Sequence, residues 1–373
     1  MAETGKDAPE PEAADLDKQT LEGLAALGYV GAPVAAREPG DARALADPKD
    51  KLHVFAAVQR AGELSAESQH AEAATALESA LREEPRMPQA LLMLGGAYSE
   101  LGRDQEAKAQ FDRVLEDDPQ NVQALVGVAN LLMRAGRTDD VVTLCKRTLS
   151  LDDRNTQAYA LLGEVYVGSG QPRQALPYLE KAVQIQPKMT QNRLNLAGAQ
   201  IEVGRFQEAE ALLKQIVQEY PRFPLAQFNL GLLHEKQGRP GEARAAYAAE
   251  VEVHPRQFKA RFNLGKLLFE MGDRQASLQQ MREVVRIAPA RPEGYLFLAR
   301  GLLQEPGAIG EVQALVEKGL SLAEAPDLKA LGFFLLADVY NRRREPEKMN
   351  DALRRARGYA AATRSEVGHA TIR

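Results

Sequence analysis

Asn195, Asn229 and Asn263 stand thirty-four residues apart, and each is followed by Leu. An Asn amide offers an acceptor and two donors in one plane, so it can satisfy both the C=O and the N–H of an extended backbone. A row of such amides at a fixed interval would hold a peptide without reading its side chains. The same amides could instead bond neighbouring segments of the chain and set their packing. Lys259, Lys266 and Arg300 fall on the same stretch. They favour an acidic segment or a terminal carboxylate, unless Glu270 and Glu293 balance them. Phe228 and Phe262, with Phe269 and Phe297, either anchor a ligand or pack between helices. The candidate peptide-binding set is therefore Asn195, Asn229, Asn263, Phe228, Phe262, Lys259, Lys266 and Arg300.

Little else in the chain has the spacing that chemistry needs. His53, His70, His234, His254 and His369 form no pair one helical turn apart, as a metal site on a helix would need. Cys145 is the single cysteine, so no disulfide can form within the chain. It falls on the core face of a helix, where it reads as a small buried hydrophobe and not as a nucleophile. The sequence contains no Gly-x-x-x-x-Gly-Lys phosphate loop, no Gly-x-Ser-x-Gly elbow and no dinucleotide-binding Gly-x-Gly-x-x-Gly. No catalytic, cofactor or metal site is expected, and no enzymatic activity.

The elements that must carry the asparagines are set by three interleaved spacings. Pro85, Pro119, Pro187, Pro221, Pro255 and Pro289 share one thirty-four-residue grid, with Asp153 in the empty slot. Gly102, Gly136, Gly170, Gly204, Gly238 and Gly272 share a second, and Ala107, Ala175, Ala209 and Ala243 a third. Each Gly suits a left-handed turn between two helices, and each Pro separates one helix pair from the next. Small residues belong where paired helices cross. A fourth grid of large residues, Phe111, Cys145, Leu179, Leu213 and Tyr247, marks the core of the second helices. The pattern predicts about nine helix pairs, beginning near 50, 88, 122, 156, 190, 224, 258, 292 and 329. The eighth pair has a stretched turn at Glu305-Pro306-Gly307-Ala308-Ile309-Gly310, and the first and last are degenerate, as ends of an array are.

Leu94-Gly95 with Tyr98, Ala107, Phe111 and Pro119 resembles the tetratricopeptide repeat family. So does Tyr159, Leu162-Gly163 with Tyr166, Ala175, Leu179 and Pro187. The resemblance spans roughly residues 50–362. It implies an all-α, right-handed superhelical solenoid that binds a protein or an extended peptide on its concave face, without catalysis. The first helix of each pair would line that face. Gln191, Leu194, Asn195, Phe228, Asn229, Lys259, Phe262, Asn263, Lys266 and Phe269 would then point into the groove, with Gln89, Leu92, Gln123, Asn130, Gln157 and Glu164 from earlier pairs. The Asn row is similar to the asparagine ladder of O-GlcNAc transferases. The two-Lys, two-Asn carboxylate clamp of chaperone-binding members is not reproduced.

Composition agrees with a helical interaction protein. Hydrophobic residues make up 45%, enough for a continuous core, while aromatics are 6% and Trp is absent. Residues 1–48 hold ten acids and four bases, a net of −6, which leaves the rest about +1 of the total −5. A near-neutral array does not suggest a nucleic-acid partner. No apolar run reaches the roughly 18 residues that span a bilayer.

Residues 1–48 read as an acidic Ala/Pro-rich tail, mostly disordered, with a short helix near 17–28 carried by Leu21, Leu24 and Leu27. The array follows from 49 to 362, and a tail from 363 to 373. Leu24-Ala25-Ala26-Leu27-Gly28-Tyr29-Val30 and Asp47-Pro48-Lys49-Asp50-Lys51 resemble the segment joining a bacterial sulfatase catalytic domain to a C-terminal repeat array. The resemblance implies an alternative function, an accessory module of a sulfatase-type hydrolase. The chain lacks the Cys-x-Pro-x-Arg or Ser-x-Pro-x-Arg motif of such enzymes, since Cys145 is followed by Lys146-Arg147-Thr148-Leu149. The sequence as written opens without a signal peptide, which points to the cytoplasm. A fragment of an exported precursor would be periplasmic.

Overall fold

The computed structural model describes residues 51–305 and 307–370, with side chains as far as residue 362. The acidic tail and the short helix expected near 17–28 lie outside the described residues. Among those described, every regular element is an α-helix. The chain divides into two compact units, one ending at Ser169 and the other beginning at Gly170.

The first unit holds α1 Leu52–Ala66, α2 His70–Glu83, α3 Pro88–Glu100, α4 Asp104–Asp117, α5 Val122–Arg134, α6 Thr138–Leu151 and α7 Thr156–Gly168. The second opens with α8 Pro172–Ile185, α9 Thr190–Glu202, α10 Phe206–Glu219, α11 Ala226–Lys236, α12 Pro240–Val253 and α13 Phe258–Glu270. It closes with α14 Arg274–Ile287, α15 Pro292–Leu302, α16 Ile309–Leu322, α17 Pro326–Arg342 and α18 Pro346–Ala370. These are the nine expected pairs, an all-α repeat array. No break marks the tail expected from 363, because α18 runs on to Ala370.

The helix boundaries follow from local chemistry. Pro88, Pro172, Pro240, Pro292 and Pro326 open helices, where the missing N–H has no partner to lose. Asn121, Asn155, Gln257 and Asp273 cap helices through side-chain oxygens that accept from a backbone N–H three residues on. The glycine grid has φ between +69° and +84° at all six positions, a region that costs a side chain dearly. In the first and last pairs the same left-handed turn is made by Ser68 (φ +62°) and Arg344 (φ +60°). The stretched turn of the eighth pair places its positive φ at Gly307, one residue beyond the grid.

The large-residue grid is the core. Phe111, Cys145, Leu179, Leu213 and Tyr247 are all buried, and Met281 continues the series. Small residues opposite them admit the close approach of helices. A Cβ at Gly95 would sit 2.6 Å from the Phe111 ring, and one at Gly231 would run into Tyr247. Consecutive pairs of the first unit are also tied through backbone. Arg113 donates to the carbonyl of Pro85 at 2.5 Å, and Arg147 to that of Pro119 at 2.7 Å. A guanidinium on a second helix thus satisfies a carbonyl at the preceding junction, which would otherwise depend on water.

Candidate peptide-binding face

The candidate residues lie on α9, α11, α13 and α15, the first helices of four successive pairs in the second unit. The three asparagines are half-buried, and each amide is held locally. Asn195 Oδ1 accepts from Gln191 Nε2 at 2.8 Å. Asn229 Nδ2 donates to the carbonyl of Leu225, one turn back, at 3.1 Å. Asn263 Nδ2 reaches the hydroxyl of Tyr247 at 3.5 Å. The bonds of Asn195 and Asn229 stay within one helical turn, and that of Asn263 reaches the second helix of the preceding pair. Asn229 and Asn263 each use one N–H this way and keep Oδ1 and a second N–H.

Lys266 differs from expectation. It was to be balanced by Glu270 or Glu293, but its Nζ lies 3.2 Å from Glu235 Oε1 on the preceding first helix. Glu235 Oε2 also accepts from the Tyr247 hydroxyl at 2.8 Å. Burial, then the bond to Glu235, pushes the Tyr247 phenol well above its ordinary value, so it stays a donor. Lys266, Glu235, Tyr247 and Asn263 thus form one connected polar network. Its two central members, Glu235 on α11 and Tyr247 on α12, lie on different helices from Asn263 and Lys266, and linear sequence does not pair them.

Phe228 also departs from the role of a groove anchor. It is 9% exposed and packs at 5.8 Å, tilted, against Tyr247 in the core of α11–α13. Helical spacing put it in the groove, whereas its ring lies in the same buried cluster as Tyr247.

Phe262 stays half-buried and belongs to an aromatic row. Its ring stacks on Phe258 at 5.7 Å with planes 8° apart. Phe297 meets it edge-on at 4.9 Å. Two cations cover this row: Arg291 lies over Phe258 at 5.0 Å, and Arg300 over Phe269 at 5.2 Å and Phe297 at 6.0 Å. Arg291 has Glu293 at 3.9 Å. Arg300 and Lys259 are exposed, and neither forms an ion pair among the described residues. Phe258 and Arg291 were missed in the sequence. The signal was available for Phe258, which lies four residues before Phe262 and so on the same helix face.

Cys145, His53 and His254 are engaged within the fold. Cys145 is fully buried, and burial pushes its thiol up to about 12. His53 pairs with Glu83 at 2.6 Å on the surface of the first unit, and His254 bonds the Arg222 carbonyl at 3.1 Å. Among the described residues, no helix is long and apolar enough to cross a membrane.

Helix pairs repeating every thirty-four residues define a helical repeat protein. The sequence matches tetratricopeptide repeats over residues 64–127, 105–165, 166–233 and 228–292. The chain belongs to the tetratricopeptide repeat family. Similar solved structures include a tetratricopeptide repeat protein from Parabacteroides merdae, at 17% identity and a TM-score of 0.54, covering 67% of this chain and 99% of that one. Yeast Tom70 is another, at 16% identity and a TM-score of 0.55, covering 82% of this chain and 68% of that one. At these identities the likeness concerns the fold. No curated protein sequence matches the chain. None of the family matches reaches residues 17–55, so the sulfatase-linked resemblance gains no support from them.

Proposed function

We propose that the second unit binds an extended, acidic peptide segment of a partner protein along α9, α11, α13 and α15, without chemistry. Tetratricopeptide arrays in general mediate protein–protein interaction through such surfaces. The observation that carries the acidic preference is Arg300. Its guanidinium lies over two aromatic rings with no carboxylate partner among the described residues, next to a half-buried row of Phe258, Phe262 and Phe297. Lys259, exposed on the same helix as Phe262, adds a second unpaired cation. A carboxylate-bearing segment with an apolar or aromatic residue would meet both features, and the cations would speed its approach.

The amides supply the sequence-independent part. Asn229 and Asn263 retain donor and acceptor capacity for a peptide backbone, and Asn195 continues the row. Lys266 and Phe228 serve the binding face from behind, one by orienting Asn263 through Glu235 and Tyr247, the other by packing against Tyr247. A peptide array probed with the wild type and with Asn195→Ala/Asn229→Ala/Asn263→Ala tests this. The triple variant should lose about tenfold or more in affinity across all bound peptides, because it removes backbone bonds of about 1 kcal/mol each. Unchanged affinity, with an unchanged melting temperature, defeats the amide reading.

A further inference from the structure

The first unit carries a groove lined by none of the residues of the candidate set in the second unit. It encloses about 600 Å³ between α3, α5 and α7. Its floor is apolar: Leu92, Met93, Val126 and the edge of the Phe111 ring. Gly96 leaves the floor open, since a Cβ there would meet nothing within 4 Å. By contrast, a Cβ at Gly127 would sit 2.6 Å from Phe111, so that glycine serves packing and Gly96 serves space.

The rim is an amide row of its own. Gln89, Gln123 and Gln157 stand thirty-four residues apart, at the same place on three successive first helices. All three are exposed, and none has a hydrogen-bond partner among the described residues. Gln123 and Gln157 line the groove directly. Unlike the asparagines of the second unit, these amides keep their full capacity of one acceptor and two donors.

Two charged side chains line the groove, and only one is neutralised. Arg134 is bound to Asp104 through Nη2 at 2.6 Å and Nε at 3.3 Å, and donates to Ser99 Oγ at 2.8 Å. Glu100 is exposed and has no ion pair among the described residues. The uncompensated charge of this groove is negative, opposite to that of the face in the second unit.

From this juxtaposition we infer a second peptide site, in the first unit, that takes an extended segment with an apolar residue over Gly96 and a basic residue against Glu100. Gln89, Gln123 and Gln157 bond the backbone of that segment, and Leu92, Met93 and Val126 receive its apolar side chain. The carboxylate of Glu100 selects Lys or Arg over Glu at the neighbouring position. The inference stands apart from the acidic-peptide reading, because no residue is shared between the two sites.

The test uses the full chain and two short labelled peptides that are extended, carry one central Leu, and differ only in a nearby Lys or Glu. Fluorescence anisotropy should show the Lys peptide binding about tenfold more tightly than the Glu peptide at this site, the scale of one charge-assisted contact. Glu100→Gln should abolish that preference. Gly96→Phe should fill the groove and remove binding of the Lys peptide, with the melting temperature held, because position 96 faces open space. Lys259→Glu/Arg300→Glu, which strikes the other face, should leave the Lys peptide unaffected. Equal binding of both peptides to the wild type, or wild-type binding by a folded Gly96→Phe variant, overturns the inference. So does a failure of the Lys peptide to bind below millimolar concentration. Loss of Lys-peptide binding in Lys259→Glu/Arg300→Glu assigns the peptide to the second unit and overturns it as well.

Discussion

Glu250 holds Leu225 in a left-handed backbone conformation. The Glu250 side chain is 1% exposed, and its Oε1 accepts from the Leu225 amide at 2.8 Å while Oε2 accepts from the Phe228 amide at 3.2 Å. Leu225, at φ +68°, is the residue before α11, so one buried carboxylate both caps that helix and fixes its strained entry. Glu250→Ala leaves two helix-start donors without partners. It should destabilise the protein by about 2 kcal/mol in urea unfolding, whereas Glu250→Gln, which keeps one acceptor, should lose about half of that.

The left-handed turns of the end pairs give a complementary expectation. Ser68 and Arg344 adopt φ values that the turns within the other pairs assign to glycine. Ser68→Gly and Arg344→Gly should each stabilise the chain by about 1 kcal/mol in chemical denaturation. The same change at an ordinary helical position, such as Ala74→Gly, should destabilise by about 1 kcal/mol.

Two glycines in first helices separate packing from space. Gly231→Ala drives a methyl into the fully buried Tyr247 ring and should lower stability by about 1–3 kcal/mol. Gly96→Ala meets nothing and should raise it by about 0.5–1 kcal/mol, as alanine does for glycine inside a helix. Thermal melts of the two variants should therefore shift in opposite directions.

The repeat architecture was legible because it is periodic. The glycine grid, the proline grid and the large-residue grid each fixed a turn, a junction or a core position, and predicted helix starts at 88, 122, 156, 190, 258 and 292 coincide with the observed ones. The start near 224 moved to Ala226 because Leu225 turns left-handed under Glu250, a contact from the following helix that no local pattern announces. Side-chain partners across helices were hidden for the same reason. Glu270 and Glu293 were the nearest carboxylates to Lys266 on linear reading, yet Glu235, thirty-one residues earlier, binds it. Phe228 looked like a groove residue until Tyr247 set its depth.

His234 predicts a pH effect. It is 8% exposed, and burial, then the Arg239 guanidinium, hold its imidazole below the ordinary histidine value despite Glu242 and Glu210. The folded state therefore takes up this proton less readily than the unfolded chain. The stabilising contribution is present above the unfolded value of about 6.5 and is lost as pH falls through the lowered folded-state value. His234→Gln, which installs the residue found at the equivalent Gln200, should flatten stability between neutral and mildly acidic pH, read as urea midpoints across that range. An unaltered slope would place the acid sensitivity elsewhere.

Arg300 over the aromatic row, with Lys259 exposed on the same helix as Phe262, is what makes the second unit a reader of acidic segments. The most direct measurement is the affinity of one acidic peptide and its charge-reversed twin for the wild type and for Lys259→Glu/Arg300→Glu, at low and high salt. The account predicts that the wild type prefers the acidic peptide, that the double variant reverses the preference, and that salt weakens both. An acidic peptide that binds the double variant as tightly as the wild type would contradict it.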